Sequence, residues 1–263
     1  MSQVETYGTE RTTGLERWFT GPLGQILLEK ESALLCQGVR RFHGDALLWL
    51  GPAALPQVEL DRCMVRYRIH GALTHDSARI LRRDGRQNVF IGDIDNLPFA
   101  PGSFDAVVVH HGFESSPDPR TAIREVAKAL RPGGRMLVCA FNPWSFWGVR
   151  RSVQGIVQPG LRRVRFVSPM RLLDWLAVLG FELDDDVRYL MYRPPLARMD
   201  FDQSWWRASR RFLESSRLPV GGVYFVLARK SAAALLPGND IRPLRAVKLV
   251  GAALPGSTAR TAR

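Results

Sequence analysis

The chain has 263 residues, 46% of them hydrophobic and 10% aromatic, which is enough to bury the core of one large domain, and its 24% charged content is too ordinary for a disordered chain. Lys and Arg number 37 against 25 Asp and Glu, and the resulting net charge of +12 points to an anionic partner without choosing among nucleic acid, a membrane surface and an acidic substrate. Three isolated cysteines, Cys36, Cys63 and Cys139, suggest neither a disulfide framework nor a zinc cluster, and without an apolar leader-like stretch or a run of roughly 18–20 apolar residues a cytoplasmic location is expected.

Residues 1–14 are polar and are expected to be mobile. After Gly21-Pro22, the apolar positions Ile26, Leu27, Leu34, Leu35 and Val39 recur at helical spacing and predict a packing helix over 23–42. Ala46–Leu50, stopped by Gly51-Pro52, has the continuous apolar character of a strand covered on both faces. Residues 63–69 alternate apolar and basic side chains and predict a second, less buried strand; 89–91 form a third and 104–109 a fourth. A helix over 121–130 carries Ile123, Val126, Ala127 and Leu130 on one face and stops at Arg131-Pro-Gly-Gly134, before a fifth strand over 136–141. A further helix over 169–179, a strand from 181, a helical stretch at 203–216 and a last strand over 221–228 complete the ordered part. From 231 to 263 the chain turns to Ala, Pro, Gly and scattered basic residues and is expected to be a flexible tail. Strands alternating with helices predict a parallel sheet with helices on both faces.

The run GDIDNLPFAPGSFDAVVVHHGFESSPDPRTAIREVAKALRPGGRMLV, residues 92–138, resembles the central part of a type 11, class I S-adenosylmethionine-dependent methyltransferase. Residues 141–151, FNPWSFWGVRR, and 168–182 resemble a bacterial, largely uncharacterised branch of that family, as do 18–28 and 221–230. The resemblance implies an α/β, Rossmann-like, seven-stranded and mostly parallel sheet with helices on both faces and an antiparallel edge strand. The domain would span 15–230, with inserts at about 142–168 and 190–217. It also implies S-adenosylmethionine as cofactor, lying across the carboxyl ends of the strands. Asp93 would accept from the adenine amine and the Ile94 amide would meet a ring nitrogen, because a carboxylate only accepts and an amine donates. Gly51 and His110 would border the same cofactor. The loop Trp49-Leu-Gly-Pro-Ala-Ala-Leu55 keeps only the first glycine of the family's D-x-G-x-G-x-G, and around His70-Gly71 the acid that holds the ribose in relatives is absent.

His111 and Glu114 follow the fourth strand in a His-x-x-Glu pattern and are the candidate catalytic pair, with His111 as base or acceptor-orienting group. Asn142, Trp144 and Trp147 after the fifth strand are candidates to line an acceptor pocket, and Arg150 and Arg151 to pair with an anionic group on it. No metal ligands are assigned. Between 126 and 173 there are nine Lys or Arg and no acid, so the charge gathers on the acceptor side and in the tail. The leading expectation is methyl transfer to a small or carrier-bound acceptor, with an anionic one favoured by that charge. Two other classes stay open: a catalytically silent binding or regulatory protein on the same fold, and a basic RNA-associated protein, although no nucleic-acid motif is recognised.

Overall fold

The computed structural model describes residues 14–56, 58, 63–72, 74–145, 148, 161, 164–190 and 221–232. The expected helix at 203–216 and the tail lie outside them. Residues 14–20 form a short helix, α1, and α2 follows at Pro22–Val39. Gly21 caps α2 in an extended conformation and Pro22 takes the first helical position, where its missing N–H is no loss. The buried face of α2 is Gly24, Leu27, Leu28, Glu31, Leu35, Gly38 and Val39; Ile26, expected inside, is 45% exposed.

The strands are β1 (His43–Leu50), β2 (Met64–Ala72), β3 (Val89–Ile91), β4 (Phe104–His110), β5 (Leu130–Phe141), β6 (Phe181–Leu183), β7 (Arg188–Leu190) and β8 (Val223–Lys230). Three more helices connect them: α3 (His75–Arg83), α4 (Pro119–Ala129) and α5 (Pro169–Val178). The sheet order is β3-β2-β1-β4-β5-β8-β6, with β7 also paired to β8. The first five strands run parallel, and β8 is antiparallel to β5, β6 and β7. The expected mixed sheet is therefore present, with eight strands among the described residues rather than seven because its last edge is interrupted. Leu183 pairs with Ala228 and Arg188 with Phe225, so two extra residues bulge out between β6 and β7.

Sequence signals explain most of the boundaries. Asp118 and Ser168 cap α4 and α5 with their side chains, and each helix has proline at its first position. Gly180 follows α5 with φ +76°, the left-handed position that glycine fills most easily. The helix α3 was not among the expected elements, since its segment HDSARILRR is mostly polar; Thr74, whose side chain accepts from the Ser77 amide, is the start signal. The Arg131–Gly134 stretch does not precede β5 but loops out within it. Phe104 pairs with Leu130 and Ala106 with Arg135, and Gly133 takes φ +80° in the loop.

Alternate residues of the central strands feed two cores on opposite faces. On one face, α1 and α2 pack Leu15, Phe19, Leu27 and Leu35 against Leu47, Trp49, Ala106, Val108, Leu137 and Cys139. On the other, α4 and α5 pack Ile123, Val126, Leu172 and Leu176 against Leu48, Val107, Val109, Val138 and Tyr224. Strand order reverses between β1 and β4, so the crevice available to a ligand lies beyond Leu50 and His110. No helix among the described residues is long and apolar enough to cross a membrane.

Candidate functional site

Three loops meet at the carboxyl ends of β1, β3 and β4. The first begins at Gly51, where an added Cβ would stand 2.1 Å from the His110 carbonyl oxygen, so only glycine lets the β1 and β4 ends approach this closely. Two residues on, the Ala53 amide donates to Glu16 Oε1 at 3.4 Å, and the same carboxylate oxygen accepts from the Ser77 hydroxyl at the start of α3. Helix α1 thus places a carboxylate against the loop after β1 and the start of α3. Burial raises the Glu16 pKa, outweighing the Ser77 and Ala53 hydrogen bonds.

The second loop turns after β3. Gly92 donates to Ala72, Asn96 donates to the Asp93 carbonyl, and Asp93 Oδ1 accepts from the Asp95 amide at 3.3 Å. The Asp93 side chain is exposed, whereas Ile94 is buried beneath it. Ser116, from the third loop, donates to Asp95 Oδ1 at 2.6 Å and ties the two loops together. Burial lifts the Asp95 pKa to about 6 against the Ser116 hydrogen bond, helped by the charges of Asp93 and Asp118.

The third loop leaves β4 through His110 and His111. Both are fully buried, and so is Glu114. His111 Nδ1 lies 3.1 Å from Glu114 Oε1, which also accepts from the Phe141 amide at 2.7 Å. The predicted pair is therefore brought together, but inside the core. Sequence reasoning missed the third member: Glu31 of α2 places Oε2 2.8 Å from His110 Nε2 and Oε1 2.9 Å from His111 Nε2. Burial would raise the Glu31 pKa, but the charge of His111 and hydrogen bonds from both imidazoles hold it well below the usual carboxylate range. Burial opposes charge on His111, yet Glu31 and Glu114 together hold its pKa up; in His110 burial outweighs the Glu31 hydrogen bond and lowers the pKa. The overlooked signal was a glutamate at the centre of the Leu27–Leu35 stripe, four residues from each leucine.

Toward the ends of β1 and β2 two rings stand together. Trp49 and His70 face each other across the β1–β2 pair, buried, with centroids 6.5 Å apart and planes at 26°. Burial, with Arg86 and Arg68 nearby, lowers the His70 pKa to about 4.

On the acceptor side, Asn142 is fully buried and spent on the protein itself. Its Nδ2 donates to Gly221 at 2.9 Å and its Oδ1 accepts from the Trp144 amide at 3.0 Å, which shapes the turn after β5. That turn presents Trp144 outward, 64% exposed. Trp147, Arg150 and Arg151 lie outside the described residues.

The arrangement suits the cofactor that the resemblance implies in its donor set. An exposed acceptor-only carboxylate, Asp93, stands beside the buried Ile94 backbone at the end of β3, and the Gly51 loop offers close backbone approach at the switch point.

Residues 65–138 match the family model described as a methyltransferase domain, a span from β2 to most of β5. The uncharacterized protein YafS of Escherichia coli (strain K12) is 26% identical over 166 residues, covering 63% of this chain and 65% of that protein. A demethylmenaquinone methyltransferase of Mycolicibacterium vanbaalenii is 47% identical over 51 residues, 19% of this chain and 22% of its own length. The chain thus spans less than two thirds of each relative's length. A crystal structure of a SAM-dependent methyltransferase from Thermotoga maritima superposes with a TM-score of 0.59 at 20% identity, over 84% of this chain and 100% of that one. At that identity the likeness is one of fold.

Proposed function

With residues 65–138 matching the methyltransferase domain family and the sheet having the fold of class I S-adenosylmethionine-dependent methyltransferases, we propose that the chain transfers a methyl group from S-adenosylmethionine to a small or carrier-bound acceptor, one bearing an anionic group. The observation that carries this reading is the meeting of the Gly51, Asp93 and β4 loops at the switch point of the sheet, the last two of them inside the segment that matches the family. S-adenosylmethionine is the cofactor that the family and fold imply, and it supplies a sulfonium-bound methyl group for in-line displacement. Asp93 would hold the adenine amine and Ile94 a ring nitrogen, while Gly51 keeps the loop backbone close. Glu16, held by the Ala53 amide and the Ser77 hydroxyl, supplies a carboxylate at the Gly51 loop whose charge meets the amino-acid end of the cofactor.

In-line transfer depends chiefly on positioning and the exclusion of water. His111 and Glu114 are positioning residues in this account. Fully buried and bonded to each other and to the Phe141 backbone, they fix the loop from His111 to Asp118 that floors the acceptor side. Trp144 lines the entrance, and exposed Arg165 and Arg171, with the expected Arg150 and Arg151, supply positive charge for an anionic acceptor.

A second reading, a silent binding protein on this fold, is favoured by one observation: the buried, stacked Trp49 and His70 rings stand near where the resemblance expects two cofactor-binding acids. Calorimetric titration with S-adenosylmethionine and S-adenosylhomocysteine separates the two. Micromolar binding, weakened about tenfold by Asp93→Ala through a lost hydrogen bond worth roughly 1.4 kcal/mol, supports the enzyme. No heat at millimolar ligand supports the silent protein.

A further inference from the structure

Successive side chains of a strand point to opposite faces, so His110 and His111 ought to diverge. They do not. His110 continues the row of Ala106 and Val108 on the α2 side of the sheet, and His111 turns back to join it because its backbone takes φ +50°. Among the described residues it is the one non-glycine with positive φ, a conformation that costs free energy and marks sites where a side chain must be aimed. The two imidazoles then lie with centroids 4.8 Å apart at 75°, both directed at Glu31. From β5, Cys139 brings its Sγ to 3.6 Å from His111 Nε2. One ligand-type atom from each of Glu31, His110, His111 and Cys139 lies within 4.8 Å of every other, and all four residues are fully buried.

We propose that Glu31, His110, His111 and Cys139 form a structural zinc site that fastens helix α2 to strands β4 and β5. Two nitrogens, a thiolate and a carboxylate oxygen are the donors zinc accepts in tetrahedral sites, whereas calcium and magnesium call for oxygen alone. Metal–ligand bonds of about 2.0–2.3 Å place neighbouring ligand atoms about 3.3–3.6 Å apart. The Cys139–His111 separation already matches, and the two Glu31–His contacts, at 2.8 and 2.9 Å, are proton-bridged distances that open by about half an ångström when a metal replaces the proton. Zn2+ enters as the Cys139 thiol proton and the proton between His111 and Glu31 leave. His110 ligates through Nε2 with its proton on Nδ1.

The surroundings fit the same role. Glu114 holds His111 Nδ1, the carboxylate–histidine support that fixes a ligating imidazole, and is itself anchored by the Phe141 amide. Phe19 and Phe141 close over the His111 ring at 5.0 and 4.1 Å. Burying carboxylates and imidazoles together is costly, and a metal offsets that cost where a substrate, kept away by full burial, could not. Four protein ligands leave no open position, so the site is structural rather than catalytic, and the zinc readouts below do not depend on methyl transfer.

The test uses full-length protein without a histidine tag, purified without chelator from zinc-supplemented medium. The proposal predicts about one zinc per chain by elemental analysis, and a tenth or less in Cys139→Ser and in His111→Gln. Substituting cobalt(II) should give a thiolate-to-cobalt charge-transfer band, lost in Cys139→Ser, and chelation should lower the Tm of the wild type while leaving Cys139→Ser unmoved. Should a variant fail to fold, by circular dichroism, the cobalt band and the chelator shift of the wild type still decide. Wild-type protein that carries no zinc and takes up none on dialysis against it overturns the proposal, and so does zinc retained in full by folded Cys139→Ser.

Discussion

Glu31 on α2 and His111 at the end of β4 are 80 residues apart in the chain and meet at 2.9 Å in the core. The contact makes α2 part of the domain's centre rather than a cover laid over it, since Glu31 bonds both imidazoles from the middle of the helix's buried face. Removing the carboxylate strands buried polar rings. Glu31→Ala is expected to lose about 3–5 kcal/mol of stability, and Glu31→Gln less, in urea unfolding. A loss under about 1 kcal/mol would show that the contact holds nothing together.

The β1–β4 junction should be equally intolerant of a methyl group. An added Cβ at Gly51 meets backbone, the His110 carbonyl, which cannot swing aside as a flexible side chain can. Gly51→Ala should therefore cost about 3 kcal/mol, the upper end of overpacking. It should also weaken cofactor binding, because the loop must shift. Chemical denaturation and calorimetry on the same sample read both effects, and a variant with wild-type stability would contradict the close approach.

How much of this was legible follows from the range of the interactions. Strands β1 to β6 and β8, the helices α2, α4 and α5, and the Asp93 turn are local, and prolines and apolar runs announce them, whereas the three-residue β7 carries no such signal. The Glu31–His110–His111–Cys139 cluster draws on three elements, and its adjacent histidines converge only through a backbone angle that no spacing rule encodes. Helix α3 was hidden for another reason: only Ser77, Ala78 and Leu81 of its nine residues are buried, so its apolar periodicity is faint. Glu16 was overlooked because its partners, Ala53 and Ser77, are distant in sequence.

His70 gives the protein a pH dependence of defined sign. Burial first, then Arg86 and Arg68, lowers its pKa from 6.5 to about 4, so the fold prefers it neutral. Neither ring nitrogen has a hydrogen-bond partner among the described residues. The unfolded chain takes up the proton first as pH falls, so this contribution to stability is full above 6.5 and is lost between 6.5 and about 4. His70→Phe, which keeps a ring against Trp49, should flatten the fall in Tm across that window. Identical slopes for the two proteins would remove His70 from the account.

Glu16 should matter to ligand rather than to fold. Glu16→Gln keeps its size and an acceptor for Ala53 and Ser77 but removes the charge. It is expected to weaken S-adenosylmethionine binding about tenfold, for one lost charge-assisted contact, with little change in Tm. Unchanged affinity would assign Glu16 to fastening α1 alone.

The central claim is that the cofactor seats at the switch point of this sheet, among the Gly51, Asp93 and β4 loops. Amide spectra of isotope-labelled protein titrated with S-adenosylmethionine test it most directly. The account predicts saturable shifts at Gly51, Ala53, Gly92, Asp93, Ile94 and Gly112, with the β6–β8 edge unmoved. Spectra unchanged at millimolar ligand, or shifts confined to residues away from those three loops, would contradict it.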